Sequence, residues 1–247
     1  MFSSENIEDS LIKISKEFDH WEIISEGEHY LQLVMGRLKA VAPSYNMKFS
    51  IHAPISDINI AALSERIREA ATLEIIATLE QAIELDAKTV TIHPGHKSMV
   101  IPGLEAKSRE KSKKSIRTID RLMNEFGIAA ALENMPSLDF MIGKTAEEMF
   151  ELVDGTDMKI CFDIGHANTV NQIDEMTELL GDRIVNVHIH DNNGSNDDHM
   201  TIGDGRIDFR AVLSKLSKYR GKYIIESRSL ESAVISRERL KEMLNSF

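Results

Sequence analysis

Short apolar, β-branched runs alternate along this chain with longer segments of helical periodicity. The runs centre on Met1–Ser4, Trp21–Ile24, Phe49–His52, Thr89–His93, Ala129–Glu133, Lys159–Asp163, Ile184–His190 and Tyr223–Glu226, and each predicts a strand. Between the third and fourth, Ile67, Ala70, Ala71, Ile75, Thr78, Leu79, Ala82 and Ile83 recur at helical spacing, which predicts a helix burying that face. Ile116, Ile119, Leu122, Met123 and Phe126 repeat the pattern in the next interval. Leu213, Leu216 and Tyr219 precede the last strand, and Leu240, Met243 and Leu244 follow it. Strands alternating with helices pair in parallel through right-handed crossovers, and eight such units close into a barrel. The expectation is an α/β fold, a parallel eight-stranded (β/α)8 barrel forming a single domain over residues 1–247. An open doubly wound sheet would carry a glycine-rich phosphate turn after an early strand, and neither G-x-G-x-x-G nor a P-loop occurs.

Composition narrows the setting. A chain of 247 residues, 42% hydrophobic and 28% charged, suits one large globular core. No apolar run reaches the roughly 18 residues that span a bilayer. The start MFSSENIEDS lacks a basic, apolar leader pattern, so a cytoplasmic location with no membrane partner is expected. The single cysteine, Cys161, has no internal partner for a disulfide and reads as core. A formal charge of −11 argues against broad attraction to nucleic-acid phosphates. It leaves room for a local basic rim, or for bound cations that reverse the sign at one site.

In a β/α barrel the reactive groups sit at the C-terminal ends of the strands and in the loops beyond. His52, His93, Glu133, Asp163, His188 and Glu226 stand at or near those ends, His166 lies one turn after Asp163, and Asp197 and His199 follow the seventh strand. Taken singly, each has a plain structural explanation: such a histidine is commonly a hydrogen-bonded structural group, and such a carboxylate can face water or an arginine. Converging on one mouth, the carboxylates would repel one another without a cation, so a divalent metal is the economical explanation. The mixture of imidazole and carboxylate suits zinc, manganese or iron better than calcium. His190 shares a strand face with His188 and either lines the mouth or donates behind a ligand. His20 and His29 are expected at the surface, His96 of HPGH chiefly in solvent, and KSREKSKKS at Lys107–Ser115 on a solvated outer helix face.

The motifs IHAP at His52, IHPG at His93, LENMP at Glu133, CFDIGHAN at Asp163 and His166, HIHDN at His188, DDHMTIGDG at Asp197 and His199, and IIES at Glu226 occur in that order. In this order they resemble the xylose isomerase-like TIM barrels (AP endonuclease family 2), which include endonuclease IV and many sugar isomerases and epimerases. The resemblance runs from about Phe49 to Glu226. Likeness to endonuclease IV implies up to three zinc ions, with Glu133 bridging two, Asp163, His188 and Glu226 completing that pair, His52 and His93 at one edge, and His166, Asp197 and His199 around the third. It implies hydrolysis of a phosphoester, the substrate being damaged DNA or a small phosphorylated molecule. Likeness to the isomerases implies instead one manganese or magnesium at Glu133, Asp163, His188 and Glu226, with Glu133 and Glu226 as catalytic acid and base beside a sugar carbonyl. Both likenesses have departures. Ketose epimerases carry an arginine soon after the histidine matching His188, and HDNNGSND has none. Endonuclease IV carries an early histidine motif missing from MFSS, an aromatic residue where this chain has Ile55 or Ser56, and a longer loop than the one from His188 to Asp197. A multi-metal phosphoesterase is the leading reading, a sugar or sugar-phosphate isomerase or epimerase the alternative, and a barrel that binds metal and ligand without turnover a third. Fold alone does not choose among them.

Overall fold

The computed structural model describes residues 3–98 and 100–245. Helix α1 (Ile7–Ile14) leads into β1 (His20–Ile24), α2 (Leu31–Val41), β2 (Lys48–His52), α3 (Glu65–Glu84), β3 (Thr89–Ile92), α4 (Glu105–Phe126) and β4 (Ala129–Glu133). Then come α5 (Ala146–Val153), β5 (Lys159–Asp163), the short α6 (Ile164–Thr169), α7 (Ile173–Leu180), β6 (Ile184–Ile189), α8 (Phe209–Lys215), β7 (Tyr223–Ile225) and α9 (Leu230–Leu244). The strands form one parallel sheet in the order β1-β2-β3-β4-β5-β6-β7. It curls into a nearly closed barrel, so that Glu22 on β1 reaches Asn186 on β6, 2.9 Å away. One set of alternate strand residues, including Ile23, Ile51, Ile92, Leu132, Phe162 and Ile189, is fully buried in the apolar core with Ile119 and Met149 of the helices. Each such side chain contributes about 1.5–3 kcal/mol to folding.

Seven strands appear among the described residues where eight were expected. Met1 and Phe2 lie outside them, and Ser3 and Ser4, the rest of the expected first strand, form a turn. The Ser3 carbonyl accepts from the Glu28 amide at 2.7 Å. Asn6 caps α1 by accepting from the Glu8 amide at 2.9 Å, which commits the chain to helix directly after this turn. β1 and β7 border a cavity of about 500 Å³ lined by Trp21, Ile24, Tyr223, Ile225 and Leu240.

The outer helices also depart from the apolar pattern. α3 buries Arg68, Ala71, Thr72, Ile75, Thr78, Leu79 and Ala82, whereas Ile67, Ala70 and Ile83 are exposed. The buried stripe is rotated because α4 meets α3 through small polar residues. Ser115 accepts from Arg68 Nη1 at 2.9 Å and from Thr72 Oγ1 at 3.2 Å, and donates to the Ile60 carbonyl at 2.8 Å. The segment KSREKSKKS is therefore only half a solvated face. Its serines, Ser108, Ser112 and Ser115, are buried, while Lys111 and Lys114 reach outward to Glu65 at 3.0 and 2.9 Å.

Candidate metal centre

Side chains alternate along a strand, so residues two apart enter the barrel one above the other. Ser50 lies beneath His52, Thr91 beneath His93, Cys161 beneath Asp163 and Asn186 beneath His188. A register shift between Ile160 and Cys161 brings Asp163 level with His188. All nine residues expected to bind metal converge at this mouth, and His190 joins them. Histidines and carboxylates make three groups, His52–His93–Glu133, Glu133–Asp163–His188–Glu226 and His166–His190–Asp197–His199, each with its donor atoms within 4.8 Å of one another, and Cys161 joins Glu133 and His188 in a fourth. Glu133 belongs to every group but the one around Asp197. Its Oε2 faces His52 Nε2 at 3.1 Å and His93 Nε2 at 2.9 Å, and its Oε1 faces His188 Nδ1 at 2.9 Å. Glu226 Oε1 lies 3.0 Å from the same His188 nitrogen.

The ring nitrogens that face away from the centre fix the tautomers. His52 Nδ1 is 2.8 Å from the Ala53 carbonyl and His166 Nδ1 is 2.8 Å from the Asn134 carbonyl. A carbonyl only accepts, so each Nδ1 carries a hydrogen, and once the ring is neutral it is Nε2 whose lone pair faces the centre. His188 is turned the other way: its Nε2–H donates to Glu22 Oε1 at 2.7 Å, leaving Nδ1 for the centre. Asn134 fixes Asp163 from two sides, accepting from the Asp163 amide at 2.8 Å and donating to its carbonyl at 2.9 Å. Asp163 Oδ1 in turn caps α6 by accepting from the His166 amide at 2.7 Å, which is why D-x-x-H delivers both side chains to one place.

Glu22 is the residue of this site that sequence reasoning missed. Its side chain is only 3% exposed and sits in the layer beneath the ligands. It accepts from His188, from Ser50 Oγ at 2.6 Å, from Asn186 Nδ2 at 2.9 Å and from Thr91 Oγ1 at 3.2 Å. The signal was available two residues back from His52, His93 and His188, where Ser50, Thr91 and Asn186 put polar groups into a barrel interior that needs an acceptor.

The electrostatics call for a cation. Burial opposes charge on His166 and His190, yet the Asp163 carboxylate beside both overcomes it and raises them to about 10 and about 9. Burial likewise opposes the charges of Glu133, Glu226 and Asp197, but the neighbouring histidines, His188 for the glutamates and His166 for Asp197, hold all three well below the usual carboxylate range. Metal-free, the shell collects protons to balance its carboxylates. Even so, Asp163 Oδ2, Asp197 Oδ1 and His190 Nε2 remain buried without a hydrogen-bond partner. Buried polar atoms are rarely left so, and donors of this type around a common centre fit a divalent ion.

Other expectations need correction. His29 is not at the surface: it is 2% exposed, packed edge-on against Trp21 at 5.3 Å. His20 is half-buried with Nε2 3.0 Å from Ser50 Oγ. His96 is half-buried, with its amide donating to Asn59 Oδ1 at 3.0 Å and its ring against Phe140. Cys161 is core, as expected, and burial pushes its thiol up, which keeps it neutral. Among the described residues no helix is long and apolar enough to cross a membrane.

Comparison with known proteins agrees with this fold. An uncharacterized protein of Methanocaldococcus jannaschii is 38% identical over 254 residues, covering 99% of this chain and 87% of the relative. A crystal structure described as a D-tagatose 3-epimerase-like protein is 36% identical, with a TM-score of 0.92 over 98% of this chain and 95% of that one. A probable endonuclease 4 of Staphylococcus carnosus is 29% identical over 182 residues, which cover 66% of this chain and 59% of the relative. The profile of the xylose isomerase-like TIM barrels matches residues 16–245, and the chain belongs to that family.

Proposed function

We propose that this protein is a multi-metal phosphoesterase acting on a small phosphorylated substrate. One observation carries the reading: both oxygens of Glu133 are engaged, Oε1 by His188 and Oε2 by His52 and His93. An isomerase that uses this glutamate as its base needs one oxygen free to take a proton from carbon. A bridging ligand needs both oxygens committed, as here. His52 and His93, Asp163 with His188 and Glu226, and His166 with Asp197 and His199 supply the remaining donors, a set that suits up to three zinc ions. When bound, such ions polarise a phosphoryl oxygen and stabilise the attacking and leaving oxygens of an in-line displacement.

The chain's own residues do the rest. His93, Asp197, His199 and Glu226 have side chains 19–26% exposed, so they form the face at the opening of the mouth. His52, Glu133, Asp163 and His188 are buried beneath them and hold that face in place. The charge of −11 and the short loop after His188 favour a small phosphoester over a duplex, whose binding would be weak and salt-sensitive.

A second reading, epimerisation of a sugar or sugar phosphate with manganese or magnesium, is favoured by the complete four-donor set Glu133–Asp163–His188–Glu226. The similarity to the D-tagatose 3-epimerase-like structure points the same way. The test offers the zinc-loaded protein a phosphodiester, small phosphomonoesters, an abasic-site duplex, and ketoses with their phosphates in deuterated water. Phosphoester cleavage without deuterium uptake into sugar supports the proposal. Uptake at carbon with no cleavage overturns it.

A further inference from the structure

The three donor groups differ in number. His52, His93 and Glu133 make three ligands, the count that leaves a fourth position open for water or substrate in catalytic zinc sites. Around the third position the family resemblance supplies His166, Asp197 and His199, which would leave it open too. We propose that His190 is a fourth protein donor there, closing the position around one ion that anchors the loop from Asp191 to His199 and takes no direct part in the reaction. The inference rests on the multi-metal reading above.

The geometry of His190 is that of a ligand. Its side chain is fully buried, and Nε2 lies 3.2 Å from Asp197 Oδ1 and 3.4 Å from Asp163 Oδ1. Yet Nε2 and Asp197 Oδ1 are both without a hydrogen-bond partner. Two close buried polar atoms that do not bond each other leave a shared third partner to be supplied. His166 Nε2 and His199 Nε2 approach the other Asp197 oxygen at 3.3 and 3.1 Å. In a tetrahedral zinc site with bonds of about 2.0–2.1 Å, ligand atoms are about 3.3–3.4 Å apart, close to the 3.1–3.3 Å that separates each of these three histidines from an Asp197 oxygen.

The surroundings are shaped to admit this ring. A Cβ on Gly165 would lie 2.0 Å from His190 Cε1, so only glycine leaves the imidazole its place. His190 stacks on His199 with ring centres 4.1 Å apart and planes 18° from parallel. His199 itself adopts a φ of 48°, a left-handed conformation that non-glycine residues rarely take, and this directs its ring inward. Backbone bonds pin the start and end of the loop: Asp191 and Met200 exchange hydrogen bonds of 3.0 and 2.8 Å, and the Asn192 carbonyl accepts from the Arg206 amide at 3.0 Å. Between them Asp197 reaches the centre by its side chain, so an ion held by four protein donors would complete the closure.

The test strips the protein with a chelator, reloads it with cobalt(II), and compares wild type with His190→Ala and His190→Gln. Bound metal is counted by mass spectrometry, and the visible spectrum reports four-coordinate cobalt. The expected result is three ions in the wild type and two in the variants. The lost ion should carry tetrahedral absorption with it, and any residual third-site binding should be weaker by at least about tenfold, since even a partner behind a ligand is worth that much. His190→Gln preserves bulk and keeps the test valid if the alanine variant fails to fold. Three ions with unchanged affinity and spectrum in a folded variant overturn the inference and leave the phosphoesterase reading standing. A wild type that holds a single ion overturns the multi-metal reading and the inference with it.

Discussion

Glu22→Gln tests whether the layer beneath the ligands tunes the metal centre. Glu22 Oε1 takes the Nε2–H of His188 at 2.7 Å, while Oε2 takes Ser50 and Asn186 at 2.6 and 2.9 Å. Glutamine can present its carbonyl to His188, but its amide then points at the Asn186 Nδ2 donor, and that bond becomes a donor facing a donor. The charge that makes the His188 ring a better ligand is also gone. Loss of a carboxylate behind a metal-bound histidine weakens binding about 10–100-fold, or about 1.4–2.7 kcal/mol. Loss of the buried bond to Asn186 should lower fold stability by a further ~1–3 kcal/mol. Competition against a fluorescent zinc chelator measures the affinity, and thermal unfolding of the metal-free protein measures the second cost. The weakened position should be the one built on Glu133, Asp163, His188 and Glu226. Glu22→Asp, with its charge kept but withdrawn by one methylene, should fall between wild type and Glu22→Gln. A folded Glu22→Gln protein whose zinc affinities all stay within about twofold of wild type would refute the reasoning.

Metal loading near pH 7.5 should expel at least the protons held on His166 and His190, because a ligating imidazole must be neutral; calorimetry in buffers of different ionisation enthalpy counts them. In the metal-free protein these two groups are raised from 6.5 to about 10 and about 9, so the stability they contribute is complete below pH 6.5 and is lost as pH rises through 9 to 10. Its Tm should fall over that window while the zinc form does not follow, and a flat metal-free profile would contradict the assignment. Asp191→Ala should lower stability by about 3 kcal/mol or more, since its carboxylate accepts from the amides of Asn192, Gly203, Gly205 and Ile207 at 2.8–3.2 Å; a Tm within a degree or two of wild type would show the loop to be held otherwise. Gly165→Ala should destabilise the wild type strongly but cost much less in the His190→Ala background, where the ring it strikes is missing. Equal costs in the two backgrounds would show that the clash is not with His190.

Much of the fold can be read from local pattern, because seven of the strand runs are short, β-branched and bounded by helical periodicity. What misled the pattern was polar packing. Ile67 and Ile83 look like the buried face of α3, but Arg68 and Thr72 take that place through hydrogen bonds to Ser115, which no hydrophobic count anticipates. His29 looked exposed because a histidine beyond a strand usually is, whereas here it packs on Trp21. The convergence of the nine candidate ligands is legible because most of them stand at a strand end or just beyond it, where barrel geometry brings side chains together. Glu22 is not, since HWEII reads as an ordinary alternating strand until the layer it joins is assembled from β2, β3 and β6. His190 reads from the sequence as sharing a strand face with His188, either lining the mouth or donating behind a ligand. Its partners Gly165, Asp197 and His199 lie on other segments, and only the folded chain shows them meeting.

The central claim is that Glu133 bridges two metal ions in a cluster of up to three. Anomalous diffraction at the zinc absorption edge, from crystals grown with zinc, tests it most directly. The account predicts one peak within bonding distance, about 2.0–2.2 Å, of His52, His93 and Glu133, and a second within that distance of Glu133 and His188. A third should lie among His166, His190, Asp197 and His199. A single peak on Glu133, Asp163, His188 and Glu226, with the other histidines bare of metal, would contradict it and hand the site to sugar isomerisation.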